Sequence, residues 1–223
     1  SAQDRLEHRR QRQRRRRRAE CRCARGGGVG VHLCPVVAAV TAQNSLAVTR
    51  VEPIAPEWLD AQLAALAEDM PPAALKTGLL GSAANIAVVA RWIDRLRQRA
   101  PVALVVDPVL GASSGAAFAD DAVLTAYRDQ LLPRATLVTP NEREARRLVG
   151  EGADTQTAPQ LAEALRALGA AAVAITGGDS AHAPSCSLDW IATEHASGWL
   201  ALPRVGTPHT HGTGCTYASS AAS

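Results

Sequence analysis

Residues 101–118 read PVALVVDPVLGASSGAAF, an apolar run that ends at Asp107 and continues into a loop rich in glycine and serine. A continuous apolar run bounded in this way is typical of a strand buried on both faces of a sheet. The pattern recurs in ATLVTPNEREARRLVG (135–150), and ANIAVVARWIDRLRQRA (84–100) has the apolar spacing of an amphipathic helix. Alternating strands and helices with fully apolar strands predict an α/β fold, a mostly parallel sheet with helices on both faces.

The other elements are predicted from the same two patterns. Helices are expected over 56–70, 84–100, 120–132, the second half of 135–150, and 158–170. A buried strand and its exit loop are expected over 31–44. Further strands are expected at the start of 73–82, over 101–107, at the start of 135–150, and over 171–178, 186–193 and 197–202. A Gly-rich turn within 211–223 opens a last helix, which the end of the chain at Ser223 interrupts.

Polar residues stand at or just past the ends of several predicted strands. They are Gln43, Lys76, Asp107, Asn141 and Thr176. In parallel sheets ligands bind outside the carboxyl ends of the strands, so these side chains are candidates for a binding site. The plainer interpretation is that polar residues follow strands in any α/β protein.

The amino-acid composition limits the classes of protein to which the chain can belong. At 223 residues, 47% hydrophobic and 20% charged, the chain suits one sizeable globular domain. No run approaches the roughly 18 apolar residues of a membrane span, and the first residues lack the apolar stretch of a secretory signal. Five scattered cysteines favour reduced thiols. We therefore expect a cytoplasmic protein with no membrane partner.

Several familiar sites are excluded by their missing patterns. The sequence contains neither GxxxxGK[ST] nor GxGxxG, so neither a P-loop nor a classical dinucleotide site is predicted. The six histidines offer no i, i+4 pair, and Cys21 and Cys23 are too close in sequence for the usual zinc spacing. A zinc site is therefore not expected.

THGTGCT (210–216) has the pattern of an anion site. The small residues Gly212, Thr213 and Gly214 allow backbone N–H groups to converge at a helix N-terminus. Cys215 then falls in the first helical turn, where the helix dipole favours the thiolate. A base beside an anion cradle suits phosphoryl transfer to a hydroxyl group. The alternative is a Gly-rich helix start with an inert cysteine.

NEREA (141–145) supports two interpretations. Asn141 with Glu144 three residues later matches a helix capping box. The functional interpretation has both side chains organise Mg²⁺, water and phosphate, since hard oxygen ligands suit Mg²⁺. Asp107 is likewise either a carboxylate that caps its loop or a second group on the Mg²⁺ side.

Six segments together resemble one family. They are TAQNSLAV (41–48), ALKTGLLGSA (74–83), VVDPVLGASSGA (105–116), LVTPNEREA (137–145), ITGGD (175–179) and THGTGCT (210–216). In this order and spacing they resemble the hydroxymethylpyrimidine/phosphomethylpyrimidine kinases of thiamine biosynthesis, in the ribokinase-like superfamily. The resemblance covers about residues 30–223. It implies a three-layer α/β sandwich that uses ATP to phosphorylate 4-amino-5-hydroxymethyl-2-methylpyrimidine and then its monophosphate.

The resemblance also implies roles for single residues. Cys215 matches the catalytic cysteine, and Gly212, Thr213 and Gly214 match the anion hole. Gln43 matches the side chain that binds the pyrimidine, with Thr41 beside it. The nucleotide side comprises Asp107, Asn141, Glu144 and Thr176, of which Asp107 and Glu144 would hold Mg²⁺ through water.

Partners and alternatives follow from the same comparison. ATP and Mg²⁺ are the implied cofactors, a small pyrimidine the implied substrate, and a homodimer the implied assembly. Cysteine after GTG narrows the substrate to pyrimidine or pyridoxal alcohols, which leaves a pyridoxal/pyridoxine kinase as the alternative. Thr176 stands where many members carry lysine, which puts one nucleotide-phosphate contact in doubt.

EHRRQRQRRRRRAECRCARGGG (7–28) does not fit the rest of the chain. Eleven of the 24 Lys and Arg residues lie in the first 25 positions, and the remainder is mildly acidic. A nucleic-acid-binding arm or a disordered basic tail would explain such a charge run. The rest of the chain has few aromatic residues for stacking on bases and no second basic patch, so a nucleic-acid partner is not expected.

A shifted reading frame explains the run better. Arg codons of the CGN type, read one base later, give Gly, Ala, Asp or Val, and this frame permits L-S-I-A-G-S-D-S-G-G-G-A-G over residues 6–18. Members of the resembled family begin with a strand and Gly-rich loop of this kind. We therefore expect an aberrant, disordered segment at 1–28 and a kinase domain at 29–223 that is incomplete at its C-terminus.

Overall fold

The structure, a computed structural model, describes residues 31–43, 48–111, 118–177 and 186–203, without the side chain of Leu202. Its α-helices are α1 (Pro56–Asp69), α2 (Ala83–Arg97), α3 (Asp121–Ala126), α4 (Glu142–Val149) and α5 (Ala158–Ala167). Its strands are β1 (Ala39–Gln43), β2 (Val48–Pro53), β3 (Ala74–Thr77), β4 (Ala103–Val106), β5 (Leu137–Val138), β6 (Val173–Ile175), β7 (Cys186–Ala192) and β8 (Ser197–Pro203). No helix in these ranges is both long and apolar enough to cross a membrane.

The main sheet has six strands in the order β3-β4-β5-β6-β7-β8. Its first four strands are parallel, and β7 and β8 are added antiparallel at one side. Parallel neighbours need a long crossover, which α2 provides between β3 and β4 and α4 with α5 provide between β5 and β6. The mostly parallel sheet predicted from the apolar strands is confirmed.

Both faces of the sheet are covered at its centre. Leu104 and Val106 of β4 are fully buried in the apolar core that the sheet shares with the helices. Side chains alternate across a strand, so Val105 points to the other face, where it is only 2% exposed. Ala174 of β6 is 1% exposed. This burial on both faces explains why PVALVVD lacks the polar alternation of a half-exposed strand.

Helix α2 shows how local sequence sets an element. Ser82 caps its start by accepting a hydrogen bond from the Asn85 N–H at 3.2 Å, and serine is among the best N-cap residues. Ile86 and Ile93 on one face are fully buried in the core, while Arg95 lies in the last turn, where positive charge suits the helix dipole.

The predicted strand over 31–44 is corrected by the structure. Only Ala39–Gln43 form a strand, which pairs antiparallel with β2 in a separate two-stranded ribbon. Val40 is 53% exposed, so the expected buried strand is wrong. Pro35 interrupts the apolar run and has no backbone N–H for a sheet ladder. Strand β2 was not anticipated from the sequence.

The predicted helix over 120–132 changes its winding. It begins as α3, continues as a π-helical turn over Tyr127–Leu131, and ends in a 3₁₀ turn over Leu132–Arg134. Pro133 cannot supply the N–H that an α-helix would need there. Tyr127, the first residue of the π-helical turn, is buried at 1% exposure.

Candidate functional site

Five residues meet at the carboxyl ends of the parallel strands. Lys76 lies in β3, Asp107 follows β4, Asn141 follows β5, Glu144 is in the first turn of α4, and Thr176 follows β6. We call this group the carboxyl-edge cluster. Backbone contacts align its members, since the Asp107 N–H donates to the Thr77 carbonyl at 3.4 Å. The structure therefore brings together the four cofactor-side residues predicted from the sequence, and it adds Lys76.

Lys76 and Asp107 form an ion pair across β3 and β4. Lys76 Nζ lies 3.0 Å from Asp107 Oδ2, and the two side chains are 16% and 8% exposed. A carboxylate this buried requires a partner, because an unpaired buried charge costs several kcal/mol, on the order of 3–5. Lys76 was noted in the sequence only as a polar residue at a strand end.

Asn141 and Glu144 form the predicted capping box. Asn141 Oδ1 accepts from the Glu144 N–H at 2.8 Å, and Glu144 Oε2 accepts from the Asn141 N–H at 3.0 Å. Thr176 joins them through an isolated parallel bridge with Asn141, and its N–H donates to the Pro140 carbonyl at 2.9 Å. The capping interpretation is confirmed in geometry, and it holds Glu144 over the strand ends.

Glu144 has an unusual electrostatic environment. Burial raises the pKa of Glu144 to about 7, and the nearby negative charge of Asp107 also raises it. Hydrogen bonds from the backbone N–H groups of Asn141 and Leu110 and the positive charge of Arg147 lower that pKa. Glu144 therefore changes protonation near neutral pH in the protein without bound metal, which is typical of functional sites.

Tyr127 and Arg147 are parts of this region that the sequence analysis missed. Burial raises the pKa of the Tyr127 phenol, and the negative charges of Asp107 and Glu144 raise it further. Arg147 donates from Nη1 to the Leu110 carbonyl at 2.8 Å and from Nη2 to the Ala119 carbonyl at 2.6 Å. The i, i+3 spacing from Glu144 could have indicated Arg147, whereas a tyrosine in an amphipathic helix gives no signal beyond core packing.

Gln43 and Thr41 lie elsewhere in the fold. Both belong to β1 of the ribbon, where Gln43 Nε2 donates to Thr41 Oγ1 at 3.1 Å. Gln43 is exposed and Thr41 is half-buried. The expectation that Gln43 follows a strand of the main sheet is wrong, because among the described residues β1 pairs with β2 and with no strand of the six-stranded sheet.

Four predicted residues cannot be placed. The proposed base Cys215 and the proposed anion hole of Gly212, Thr213 and Gly214 lie outside the described residues. The Arg-rich segment 1–28 lies outside them as well. The part of the candidate site that the structure describes is therefore the part at the strand ends, which carries the carboxylates of Asp107 and Glu144.

A family profile described as phosphomethylpyrimidine kinase matches residues 27–223. The chain belongs to the phosphomethylpyrimidine kinase family. The matched range contains the whole carboxyl-edge cluster and the THGTGCT segment. It confirms the resemblance inferred from the six segments.

Two members of the family document the match. The hydroxymethylpyrimidine/phosphomethylpyrimidine kinase of Synechococcus elongatus is 43% identical over 195 residues, which are 86% of this chain and 72% of the relative. The enzyme of the same name from Haemophilus influenzae is 40% identical over 194 residues, 85% of this chain and 71% of the relative. Both are kinases, so the prediction that the chain is an enzyme of this type is confirmed.

Solved structures support the fold. The ADP complex of Bacillus subtilis pyridoxal kinase superposes with a TM-score of 0.72 at 28% identity, covering 86% of this chain and 71% of that one. The likeness confirms the ribokinase-like α/β architecture.

The donor set at the sheet edge fits Mg²⁺. Asp107 and Glu144 offer hard carboxylate oxygens, and the negative charge of Asp107 raises the pKa of Glu144, so the two carboxylates lie close enough for their charges to interact. In the described ranges no three His, Cys, Asp or Glu side chains group into a complete metal cage. Mg²⁺ usually binds one or two carboxylates and takes its other ligands from water and phosphate, so the pair suffices.

Proposed function

We propose that this kinase transfers the γ-phosphoryl group of ATP to 4-amino-5-hydroxymethyl-2-methylpyrimidine and then to its monophosphate, in thiamine biosynthesis. The observation that carries the proposal is the family match, because it spans both the carboxylate side and the THGTGCT segment of the sequence. The named activities of the Synechococcus and Haemophilus relatives support the same substrate.

The carboxyl-edge cluster supplies the nucleotide side of this proposal. Mg²⁺ bound with ATP neutralises charge on the phosphate groups during transfer. Asp107 and Glu144 would hold the metal through water, because their carboxylates lie at the strand ends where ligands bind. Asn141 fixes Glu144 through the capping box, and Thr176 beside Asn141 would contact the nucleotide phosphates.

The acceptor side rests on the sequence. The Cys215 thiolate would take the proton of the substrate hydroxyl while that oxygen attacks the γ-phosphorus and the bond to the β–γ bridging oxygen breaks. In the second transfer, a phosphate oxygen of the monophosphate is the nucleophile. Backbone N–H groups of Gly212, Thr213 and Gly214 would stabilise the moving charge. Gln43 and Thr41 would bind the pyrimidine from the ribbon.

The second candidate is a pyridoxal kinase, favoured by the likeness to the Bacillus subtilis pyridoxal kinase. A substrate panel separates the two: ADP release is measured with the hydroxymethylpyrimidine, its monophosphate, pyridoxal and pyridoxine. We expect the highest kcat/KM for the two pyrimidines. The panel uses the protein with its N-terminal reading frame restored. A higher value for pyridoxal overturns the pyrimidine assignment, and a lack of ADP release with all four substrates overturns the kinase proposal.

Cys215 can be tested in the same assay. Replacing it with alanine is expected to lower kcat about 10²- to 10⁴-fold, because that is the usual contribution of a positioned base. The thermal midpoint of unfolding should stay within a few degrees of the parent. Retained turnover in Cys215→Ala would assign the proton transfer to another group.

We also propose that residues 1 to about 28 are a frame-shifted form of the strand and loop with which the resembled family begins. An arginine run cannot enter a central strand without burying unpaired charge. We therefore expect weak or no turnover by the chain as written and full turnover once the frame is restored. Sequencing the gene tests the origin of the segment, since one uninterrupted frame that encodes the arginines contradicts the shift.

The remaining expectations stay predictions. They are the homodimer, the cytoplasmic location and the absence of a nucleic-acid partner. Deleting residues 1–28 tests the last, because a nucleic-acid arm would give steeply salt-dependent binding that the deletion removes.

A further inference from the structure

Leu110, which follows β4, lies beside Phe118 and close to Ala119 further along the chain, and we call these three residues the neck. The Phe118 N–H donates to the Leu110 carbonyl at 2.9 Å, which closes the neck on itself. Arg147 reaches both sides, with Nη1 donating to the Leu110 carbonyl at 2.8 Å and Nη2 to the Ala119 carbonyl at 2.6 Å. A planar guanidinium fork can hold two acceptors at once, which a lysine ammonium on one flexible stem does less well.

Helix α4 holds Leu110 from two directions. The Leu110 N–H lies close enough to the Glu144 carboxylate to lower its pKa, and the Leu110 carbonyl accepts from Arg147 Nη1 at 2.8 Å. Glu144 and Arg147 are three residues apart and therefore project from the same side of the helix. The backbone of Leu110 therefore lies between one acidic and one basic side chain of α4.

The helix itself is fixed at both ends. The capping box of Asn141 and Glu144 holds its first turn. At its last turn, Arg128 donates from Nε to the Leu148 carbonyl at 2.6 Å and from Nη2 to the Arg147 carbonyl at 2.9 Å. Arg147 therefore acts on the neck from an anchored helix, so its contacts constrain Leu110 more than they displace α4.

Leu110 also connects to the other carboxylate of the site. It lies three residues after Asp107, and the Val109 N–H donates to the Asp107 carbonyl at 3.0 Å. We propose that Arg147 is a positioning residue, which holds the Leu110 and Ala119 carbonyls against α4 and thereby fixes the spacing between Glu144 and Asp107. The kinetic consequence rests on the proposed kinase function, whereas the structural role does not.

Hydrogen exchange tests the structural role without any turnover. The amide of Leu110 is followed in the 223-residue protein, free of nucleotide and metal, for the parent, Arg147→Lys and Arg147→Gln. Arg146→Gln is the matched control, because Arg146 directly precedes Arg147 in α4 but bonds to Glu142 and the Gln156 carbonyl instead. We expect exchange at Leu110 to quicken about tenfold or more in Arg147→Gln, since local opening loses two charge-assisted hydrogen bonds.

The lysine variant keeps the result interpretable if the glutamine variant folds poorly. Arg147→Lys should show intermediate exchange, and Arg146→Gln should match the parent. Equal exchange at Leu110 in the parent and both Arg147 variants overturns the proposal. Faster exchange throughout α4 in those variants also overturns it, because Arg147 would then stabilise the helix rather than the neck.

Kinetics of the frame-restored protein test the consequence for the site. Arg147→Ala is expected to lower kcat about ten- to hundredfold, the usual cost of misplaced site groups, with the KM for the pyrimidine changed less than about twofold. Millimolar methylguanidinium should restore part of kcat in Arg147→Ala and none in Cys215→Ala. An unchanged kcat, or a loss confined to the pyrimidine KM, contradicts the positioning role. A parent protein that releases no ADP refutes the proposed function alone, and the exchange result still decides the role of Arg147.

Discussion

Lys76 Nζ and Asp107 Oδ2 lie 3.0 Å apart on neighbouring parallel strands, with both side chains largely buried. The pair therefore places a fixed positive charge beside the carboxylate that the proposed mechanism uses. Asp107 also raises the pKa of Glu144, so the carboxylate that Lys76 pairs with acts on the second carboxylate of the carboxyl-edge cluster.

The first prediction concerns this ion pair. Replacing Lys76 with methionine should lower the free energy of unfolding by about 3 kcal/mol, because removing one partner leaves a buried charge unpaired. Adding Asp107→Asn to Lys76→Met should restore part of that stability. Urea unfolding in metal-free buffer measures all three proteins. The matched control is Arg50→Met, because the Arg50–Glu52 pair is 77% and 66% exposed and should contribute less than about 1 kcal/mol. Similar losses in both single variants would contradict the prediction.

The sequence predicted the local features of this region but not its long-range contacts. The β4 run and the capping box at Asn141 are local patterns, in which burial and hydrogen bonding depend on residues a few positions apart. The Lys76–Asp107 pair joins residues 31 positions apart, and it exists only because β3 and β4 are parallel with Lys76 opposite Val105. No local pattern contains that register.

The ribbon shows the opposite difficulty. Strand β2 reads VTRVEP, in which two valines stand among threonine, arginine and glutamate, so it lacks the apolar pattern of a main-sheet strand. Its strand conformation depends on pairing with β1, which itself looked like a buried strand. Apolar residues such as Val40 indicate that a segment has a partner or an exposed apolar surface, but composition does not tell which of the two.

The second prediction is a pH dependence from Glu144. Its pKa is about 7 in the folded protein and 4.5 in the reference state, so the folded protein binds this proton more tightly. The resulting stabilisation is complete below pH 4.5 and is lost as pH rises through 7. The loss is on the order of 3 kcal/mol, since one pKa unit corresponds to about 1.4 kcal/mol.

Glu144→Gln isolates this contribution, because glutamine does not titrate. The free energy of unfolding of the parent minus that of the variant should fall between pH 4.5 and 7.5 in chelator-treated buffer. Urea titrations at four or five pH values measure it. Parallel pH curves for the two proteins would show that the Glu144 proton does not couple to folding.

The third prediction separates capping from function at Asn141. Asn141→Ala removes the N-cap oxygen that lies 2.8 Å from the Glu144 N–H, so unfolding should cost about 1 kcal/mol less. Ser82→Ala is the matched control, since the Ser82 side chain caps α2 in the same way by accepting from the Asn85 N–H at 3.2 Å. Both variants should lose similar stability by urea unfolding, while only Asn141→Ala should lose kcat/KM for ATP. If both variants lost kcat/KM for ATP to the same extent, Asn141 would act only as a helix cap.

The fourth prediction concerns Gly177, directly after Thr176. A Cβ at Gly177 would overlap the Leu188 carbonyl oxygen of β7, and the Gly177 N–H donates to buried Asp189 Oδ1 at 3.0 Å. The three atoms nearest to that Cβ are all backbone atoms of Leu188, which cannot turn away as a flexible side chain could. Gly177→Ala should therefore lower the free energy of unfolding by about 3 kcal/mol, at the upper end for overpacking.

Gly198 in β8 gives the comparison for that change. A Cβ there meets no atom within 4 Å, so Gly198→Ala should alter stability by less than about 1 kcal/mol. The strain at Gly177 should also reach the site, because Thr176 bridges to Asn141. We therefore expect Gly177→Ala to raise the KM for ATP while the KM for the pyrimidine stays constant. If Gly177→Ala instead matches Gly198→Ala in both measurements, β6 and β7 must separate easily, and the strand-end geometry of Thr176 would not be rigid.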